Sequence, residues 1–109
     1  MAGITPEGRV KKKVKEILAE YGAYAFMPVQ NGMGAPALDF HGIYRGIGFC
    51  IETKAPGKKP TKRQLHTMET VAAAGGKCFV IDGEVGYKQL REWLTLVFTS
   101  TGANDYVAI

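Results

Sequence analysis

Residues 47–54 read Ile-Gly-Phe-Cys-Ile-Glu-Thr-Lys, an apolar and β-prone run that ends in an acid and a base two positions apart. Successive side chains of a strand point to opposite faces, so residues two apart share a face. Glu52 and Lys54 therefore point to one side, and Phe49 and Ile51 point to the other. We predict a strand over 47–54 whose end projects a carboxylate and an ammonium into a single pocket.

A second carboxylate, Asp39, ends another short β-prone run at 37–40 and would come beside Glu52 if the two strands pair. Two carboxylates can hold a hard divalent cation, and a lysine beside them can hold a nucleophile or a charged oxygen. Phosphodiester hydrolysis needs an activated water, neutralised phosphoryl oxygens and help for the leaving oxygen. The pattern predicts such a site, with Mg²⁺ or Mn²⁺ held by Asp39, Glu52 and the backbone oxygen of Thr53. Lys54 would position the attacking water or stabilise the developing charge.

The order of helical and strand patterns is α-β-β-β-α-β-α, which predicts an α/β fold with a mixed sheet flanked by helices. The first helix begins at the N-cap Thr5, has Pro6 at its first position and ends at Gly22. A connection rich in turn-forming residues is expected at 41–46. Further strands are expected at 23–29, 37–40 and 77–82, and loops at 30–36 and 55–60. A second helix is expected from Thr61 to the stop at Gly75-Gly76, and a third at 87–98. The residues expected to face inward are Val10, Val14, Ile17, Leu18 and Tyr21 in the first helix, Leu65, Met68 and Ala72 in the second, and Leu90, Trp93, Leu94 and Val97 in the third.

The 109-residue chain is 46% hydrophobic and 22% charged, which predicts one soluble globular domain with a core at about 5–98 and a tail at 99–109. No apolar run approaches the ~20 residues of a membrane span, and the amino terminus lacks a signal-peptide pattern. We therefore expect a cytoplasmic protein without a membrane partner. Cys50 and Cys78 lie in apolar runs without metal-site spacing and are expected to be buried free thiols.

The formal net charge is +4, and most of the basic residues fall into two clusters. Each cluster alone is equally well explained as a solvated face. The second cluster directly follows the predicted carboxylate site, which favours a polyanion such as a nucleic-acid backbone as the partner. The first cluster contains Arg9, Lys11, Lys12, Lys13 and Lys15, and the second contains Lys54, Lys58, Lys59, Lys62 and Arg63.

Four other polar residues are candidates for a role near the site. Glu7 falls on the apolar stripe of the first helix, either as a first-turn acid favoured by the helix dipole or as a third acid at the cation site. Gln64 follows Thr61 by three residues and completes a capping box, which is compatible with a polar contact in the site. His41 and His66 are expected to be peripheral, the first opening a turn and the second lying among exposed helix residues.

The predicted site belongs to a longer pattern of short segments, namely Gly-Ala-Pro-Ala-Leu-Asp-Phe at 34–40, Arg45-Gly46, Ile-Glu-Thr-Lys-Ala at 51–55, Pro60-Thr61 and Gln64. This pattern resembles the PD-(D/E)XK nuclease superfamily and, more narrowly, the stand-alone VRR-NUC domains of phages and bacteria. The similarity extends from about residue 7 to residue 81. One position departs from the pattern: the proline that usually precedes the aspartate is Leu38 here, with Pro36 two places earlier.

The resemblance implies a restriction-endonuclease-like core and a Mg²⁺- or Mn²⁺-dependent DNA endonuclease without a small-molecule cofactor. Asp39 and Glu52 would be metal ligands, and Lys54 the catalytic lysine. Glu7 matches the acid of the family's first helix, and Gln64 the glutamine that opens the helix after the lysine motif. Minimal members of the family resemble Holliday-junction resolvases and tend to act as homodimers on branched DNA, in bacterial or phage-infected cells. For this chain we expect DNA contacts from Lys58, Lys59, Lys62, Arg63, Lys11, Lys12 and Arg45.

Two other functions remain open at the level of the sequence. One is a DNA-binding module that keeps this fold without cleaving its partner. The other is a structural or assembly protein whose basic faces neutralise a polyanion. The complete set of Asp39, Glu52 and Lys54 favours the enzyme, because a protein that does not cleave has no need for all three.

Overall fold

Three helices and four strands follow one another in the predicted order over residues 3–29 and 36–101, the part of the chain that the computed structural model describes. The strands form a single mixed sheet in which the first three are antiparallel and the last two are parallel. This arrangement confirms the expected α/β fold. The elements are α1 (Pro6–Tyr21), β1 (Tyr24–Phe26), β2 (Phe40–Tyr44), β3 (Ile47–Thr53), α2 (Lys62–Ala73), β4 (Lys77–Ile81) and α3 (Glu84–Thr101).

Helix α1 forms as its sequence predicts. The Thr5 side chain accepts a hydrogen bond from the Gly8 N–H at 3.0 Å, and Pro6 occupies the first turn. Gly22 ends the helix in the left-handed region, with φ 72°, which costs a glycine little because it has no Cβ. The inward face of α1 then packs on the sheet through Val10, Val14, Ile17 and Leu18.

The second strand is the main correction to the prediction. A strand was expected at 37–40 and a turn-rich connection at 41–46, but β2 occupies Phe40–Tyr44 and pairs with β3 along its whole length. Only Arg45 and Gly46 form the turn, both with positive φ (49° and 88°), which suits a tight hairpin. Asp39 therefore immediately precedes a strand instead of ending one.

Gly42 was read as a turn former, but it lies within β2 because the sheet leaves no room for a side chain there. A Cβ at this position would lie 2.1 Å from the Tyr24 carbonyl oxygen and 2.8 Å from the Phe49 ring. The first strand is also shorter than predicted, covering Tyr24–Phe26 instead of 23–29. The loop expected at 30–36 lies, except for Pro36, outside the described residues.

The two faces of the sheet carry separate apolar clusters. Helices α1 and α3 contribute to the larger cluster, where the Trp93 ring packs edge-on against the rings of Phe49 and Phe79 at 5.8 and 5.6 Å. Helix α2 covers the smaller cluster on the other face, formed by Leu38, Cys50 and Met68. The alternation of β3 thus places Phe49 in one cluster and Cys50 in the other.

Helices α2 and α3 each depart from the prediction in one respect. In α2 Met68 is buried as expected, but Thr67 is its buried neighbour, whereas Leu65 is 45% exposed and Ala72 is exposed. Helix α3 is longer than the predicted 87–98 and runs over Glu84–Thr101, so residues 99–101 of the expected tail are helical. Residues 102–109 lie outside the described part.

The cysteines are free, as predicted. Cys50 is buried and Cys78 only half-buried, and their Sγ atoms are 3.1 Å apart across β3 and β4. Within the described ranges, no helix combines the length and apolar character needed to cross a membrane.

Candidate active site

Glu52 and Lys54 lie side by side at the carboxyl end of β3, as the alternation of strand faces predicts. Glu52 is almost fully buried, at 3% exposure, and its Oε2 lies 3.3 Å from the Lys54 Nζ. The backbone of Lys54 continues the pairing with β4, because its N–H donates to the Ile81 carbonyl at 2.9 Å. The strand end therefore holds an acid and a base in direct contact.

Asp39 is attached to the same strand end through Thr53. Its Oδ2 accepts hydrogen bonds from the Thr53 N–H at 3.0 Å and from the Thr53 hydroxyl at 2.6 Å. Thr53 is fully buried and is the neighbour of Glu52 in the chain. Antiparallel pairing of β2 with β3 brings Asp39 here, since Phe40 faces Ile51 in the register.

The two carboxylates act on each other. Burial raises the pKa of Glu52, and the negative charge of Asp39 raises it further, while the hydrogen bond and charge of Lys54 lower it. The net direction is upward, so the anionic form of Glu52 is held at a free-energy cost. A positive charge placed between the two acids would relieve that cost.

Lys11 reaches these acids from α1. Its Nζ lies 3.2 Å from the Glu7 carboxylate and 3.8 Å from the Asp39 Oδ1. Partial burial opposes the charge of Lys11, but the hydrogen bond to Glu7 and the charges of Asp39 and Glu7 outweigh it and raise its pKa. The sequence predicted Lys11 only as a DNA contact, but in the structure it also contacts Glu7 and Asp39.

Glu7 lies in the first turn of α1 and is partly exposed, which agrees with its interpretation as a first-turn acid. Its side chain is 41% exposed and pairs with Lys11, one turn further along α1, so it is not on the buried stripe. Within residues 3–29 and 36–101, no three His, Cys, Asp or Glu side chains gather as a potential metal site. Glu7 is thus connected to Asp39 through Lys11, which contacts both carboxylates, whereas Asp39 and Glu52 both lie at the end of β3.

Gln64 makes both of the contacts considered for it. Its Oε1 accepts a hydrogen bond from the Thr61 N–H at 2.9 Å, while the Thr61 hydroxyl accepts one from the Gln64 N–H at 3.1 Å. Its Nε2 donates to the Glu52 Oε2 at 2.9 Å. An amide has an acceptor and a donor, so one side chain caps α2 and orients the buried carboxylate.

The basic residues expected to contact DNA divide into two groups. Arg45 lies at the far end of β3, roughly 20 Å away along a seven-residue strand. There its guanidinium contacts the Thr101 hydroxyl and stacks over the Phe98 ring at 4.9 Å, so the structure does not bring Arg45 together with the acids. The others lie on the elements that form the site and are exposed: Lys58 and Lys59 in the loop after Lys54, Lys62 and Arg63 in the first turn of α2, and Lys12 on α1.

Two other contacts hold the site's backbone and were not expected from the sequence. The Nε2 of His41 accepts a hydrogen bond from the Leu38 N–H at 2.9 Å, and burial lowers the pKa of His41. The Asp82 carboxylate accepts the Gly57 N–H at 3.0 Å and so fixes the basic loop to the end of β4. The sequence feature that could have suggested the first contact is the three-residue spacing of Leu38 and His41.

A solved structure described as a VRR_NUC domain has the same fold. The two chains are 30% identical, the match covers 81% of this chain and 96% of the other, and the TM-score is 0.70. The chain belongs to the VRR-NUC family. Neither a family model nor a curated protein matches the sequence, so this membership rests on the structural match. A VRR-NUC domain is a nuclease domain, and here the fold carries the Asp39–Glu52–Lys54 cluster at one end of its sheet.

Proposed function

We propose that this VRR-NUC chain is one nuclease domain that hydrolyses phosphodiester bonds in branched DNA, requires Mg²⁺ or Mn²⁺, and acts as a homodimer. The observation that carries the proposal is the meeting of Asp39, Glu52 and Lys54 at the end of β3. Asp39 is bound to Thr53, next to Glu52, and the Lys54 Nζ is 3.3 Å from the Glu52 carboxylate.

The donor set fits a hard divalent cation. Asp39 and Glu52 present carboxylate oxygens, the ligand type that Mg²⁺ and Mn²⁺ take, and water or phosphate oxygens complete such a coordination shell. Their mutual repulsion, which contributes to the raised pKa of Glu52, favours a cation at this place. The Thr53 carbonyl stays a proposed third ligand. When bound, the ion would neutralise phosphate charge and acidify an attacking water.

The side chains around the acids supply the rest of the chemistry. Thr53 fixes the Asp39 carboxylate through two hydrogen bonds, and Gln64 fixes that of Glu52 through one. Lys54 keeps its ammonium at the same place, where it can stabilise negative charge that develops on the phosphoryl oxygens or orient the attacking water. A pre-organised charge of this kind requires no rearrangement during the reaction.

The surface around the acids suits a polyanionic substrate. A groove of about 610 Å³ beside α1 is lined by three lysines and one acid, together with the apolar side chain of Met27; the charged residues are Lys11, Lys12, Lys15 and Glu16. On the other side, the exposed lysines of the loop after Lys54 continue into the first turn of α2. Lysines on both sides of the acids can bind phosphates and leave the scissile bond between them.

Cleavage by the purified protein tests the enzymatic part. Wild type is expected to nick four-way junctions, flaps or splayed arms in Mg²⁺ or Mn²⁺, and Lys54→Ala to lower kcat about 100-fold or more while DNA binding survives. Lys77→Ala is the matched control, because Lys77 is an exposed lysine at the opposite end of β4. A wild-type protein that binds DNA but nicks none of these substrates contradicts the enzyme and supports a binding module.

The homodimer follows from the number of sites. One cluster of this kind cuts one strand, and resolving a junction requires two cuts. Sedimentation equilibrium is expected to give twice the mass of one chain, with or without a junction bound. A monomer under both conditions would remove the dimer from the proposal and leave the single-strand cleavage intact.

A further inference from the structure

The backbone just before Asp39 is held by a side chain outside the Asp39–Glu52–Lys54 cluster. Leu38 is completely buried, and its N–H donates to the Nε2 of His41 at 2.9 Å. A buried N–H requires a partner, and Leu38 precedes β2, where no strand ladder supplies one. Because Nε2 accepts, the neutral ring carries its proton on Nδ1.

The strand that carries His41 fixes the position of its ring. His41 is the second residue of β2 and is paired on both sides, with Phe26 in β1 and with Cys50 in β3. The Phe26 ring lies 6.2 Å from the imidazole ring. The acceptor therefore belongs to a strand that is paired on both sides, and it reaches back to the residue before Asp39.

Two sets of hydrogen bonds hold Asp39 at the strand end, in addition to the ion pair between its Oδ1 and Lys11. One is the double hydrogen bond from Thr53 to the Asp39 Oδ2, which fixes the side chain. The other is the bond from Leu38 to His41, which fixes the backbone that carries it. Loss of the second removes a hydrogen bond of the backbone that carries Asp39 and leaves the contacts of its carboxylate in place.

We propose that His41 is a positioning residue for cleavage: through the Leu38 N–H it holds the 38–39 backbone so that Asp39 stays beside Glu52. The catalytic consequence rests on the proposed function, whereas the hydrogen bond itself does not. His41 does not touch the acids, so its loss should lower kcat and leave substrate affinity unchanged.

Three substitutions of His41 separate this role from simple packing. In His41→Gln the side-chain oxygen reaches about as far as Nε2, whereas in His41→Asn it ends nearer the position of Nδ1. His41→Ala and His41→Asn are expected to lower kcat about 10-fold or more, with KM and DNA affinity within about twofold of wild type. His41→Gln is expected to recover most of the loss. His66→Ala, which removes an exposed histidine of α2, is the control and should cleave like wild type.

Amide hydrogen exchange provides a readout without cleavage. The Leu38 amide should be protected in wild type and His41→Gln and should exchange at least about 10-fold faster in His41→Asn and His41→Ala. If His41→Ala does not fold, the comparison of His41→Gln with His41→Asn still tests whether an acceptor at the position of Nε2 is required. Equal kcat in all His41 variants, or an unprotected Leu38 amide in wild type, overturns the proposal. A wild type that cleaves no DNA would refute the nuclease function, while the exchange result would still decide whether His41 holds this turn.

Discussion

Glu52 carries the clearest energetic consequence at the scale of single residues. Its folded pKa lies above its ordinary value, because burial and the charge of Asp39 outweigh the bond to Lys54. The folded state therefore holds that proton more tightly than the unfolded chain does, and stability falls as pH rises through the window between the unfolded and folded values. Above that window the protein keeps an unfavourable buried anion.

Replacing Glu52 by glutamine should remove this cost. Glu52→Gln is expected to raise Tm at pH 7, and the gain should shrink as the pH is lowered to about 4, where unfolded glutamates begin to take up protons. Calorimetry of both proteins from pH 4 to pH 8 measures the difference, and cleavage should be lost throughout. A lower Tm for Glu52→Gln at pH 7 would show that the contacts to Lys54 and Gln64 outweigh the burial of the charge.

Asp39 should behave in the opposite way, because its removal breaks two hydrogen bonds with Thr53. Asp39→Ala leaves the fully buried Thr53 without the acceptor for its N–H and its hydroxyl. The expected cost is about 1–3 kcal/mol of unfolding free energy, measured by urea titration. Asp39→Asn, which keeps an oxygen acceptor, should lose less stability and equally abolish cleavage. Equal stability of wild type and Asp39→Ala would contradict the role given to Thr53.

At the scale of secondary-structure elements, β2 is the strand whose bounds the sequence pattern did not predict. The run Phe40–Tyr44 contains a glycine, which is typical of turns, and only the packing of Tyr24 and Phe49 around Gly42 explains a glycine inside a strand. Such a requirement comes from residues far apart in sequence. By contrast, β3 could be predicted from its own alternation, and α1 from its capping residues.

The same distinction applies to the site. Strand alternation was sufficient to place Glu52 beside Lys54, and the spacing of Glu7 and Lys11 by one helical turn could have predicted their ion pair. The contact between Asp39 and Thr53 depends on the register of two strands, which a local pattern does not contain. Leu38 stands where the family usually has proline, and its N–H, which a proline lacks, is the group that His41 accepts.

The pairing of β1 with β2 gives a prediction at this scale. Gly42→Ala would push a methyl group against the Tyr24 carbonyl oxygen and the Phe49 ring, and the expected loss is about 3 kcal/mol of unfolding free energy, typical of severe overpacking. Gly48→Ala is the matched control in the facing strand, where the nearest atom to an added Cβ is 3.9 Å away. Denaturant unfolding of both variants measures the difference. Equal losses would show that the cost lies in glycine flexibility and not in the close approach.

At the scale of the whole molecule, the net charge of +4 matters through its distribution. The acids stand between the lysines of α1 and those of the loop and first turn of α2. Arg45 and Lys77 lie at the other end of the sheet, where each stacks over an aromatic ring. If phosphates bind only near the acids, the salt dependence of DNA binding should depend on which positive charges are removed.

The double variant Lys58→Gln/Lys59→Gln should therefore weaken junction binding and reduce the slope of log Kd against log salt by about 2, because each lost phosphate contact removes about one released counterion. Lys77→Gln/Arg45→Gln changes the net charge by the same amount and should leave the slope almost unchanged. Fluorescence anisotropy between about 50 and 200 mM salt covers the range in which such slopes are measurable. Equal slopes for the two double variants would mean that DNA responds to total charge, and the placement of the substrate across the Asp39–Glu52–Lys54 end of the sheet would be wrong.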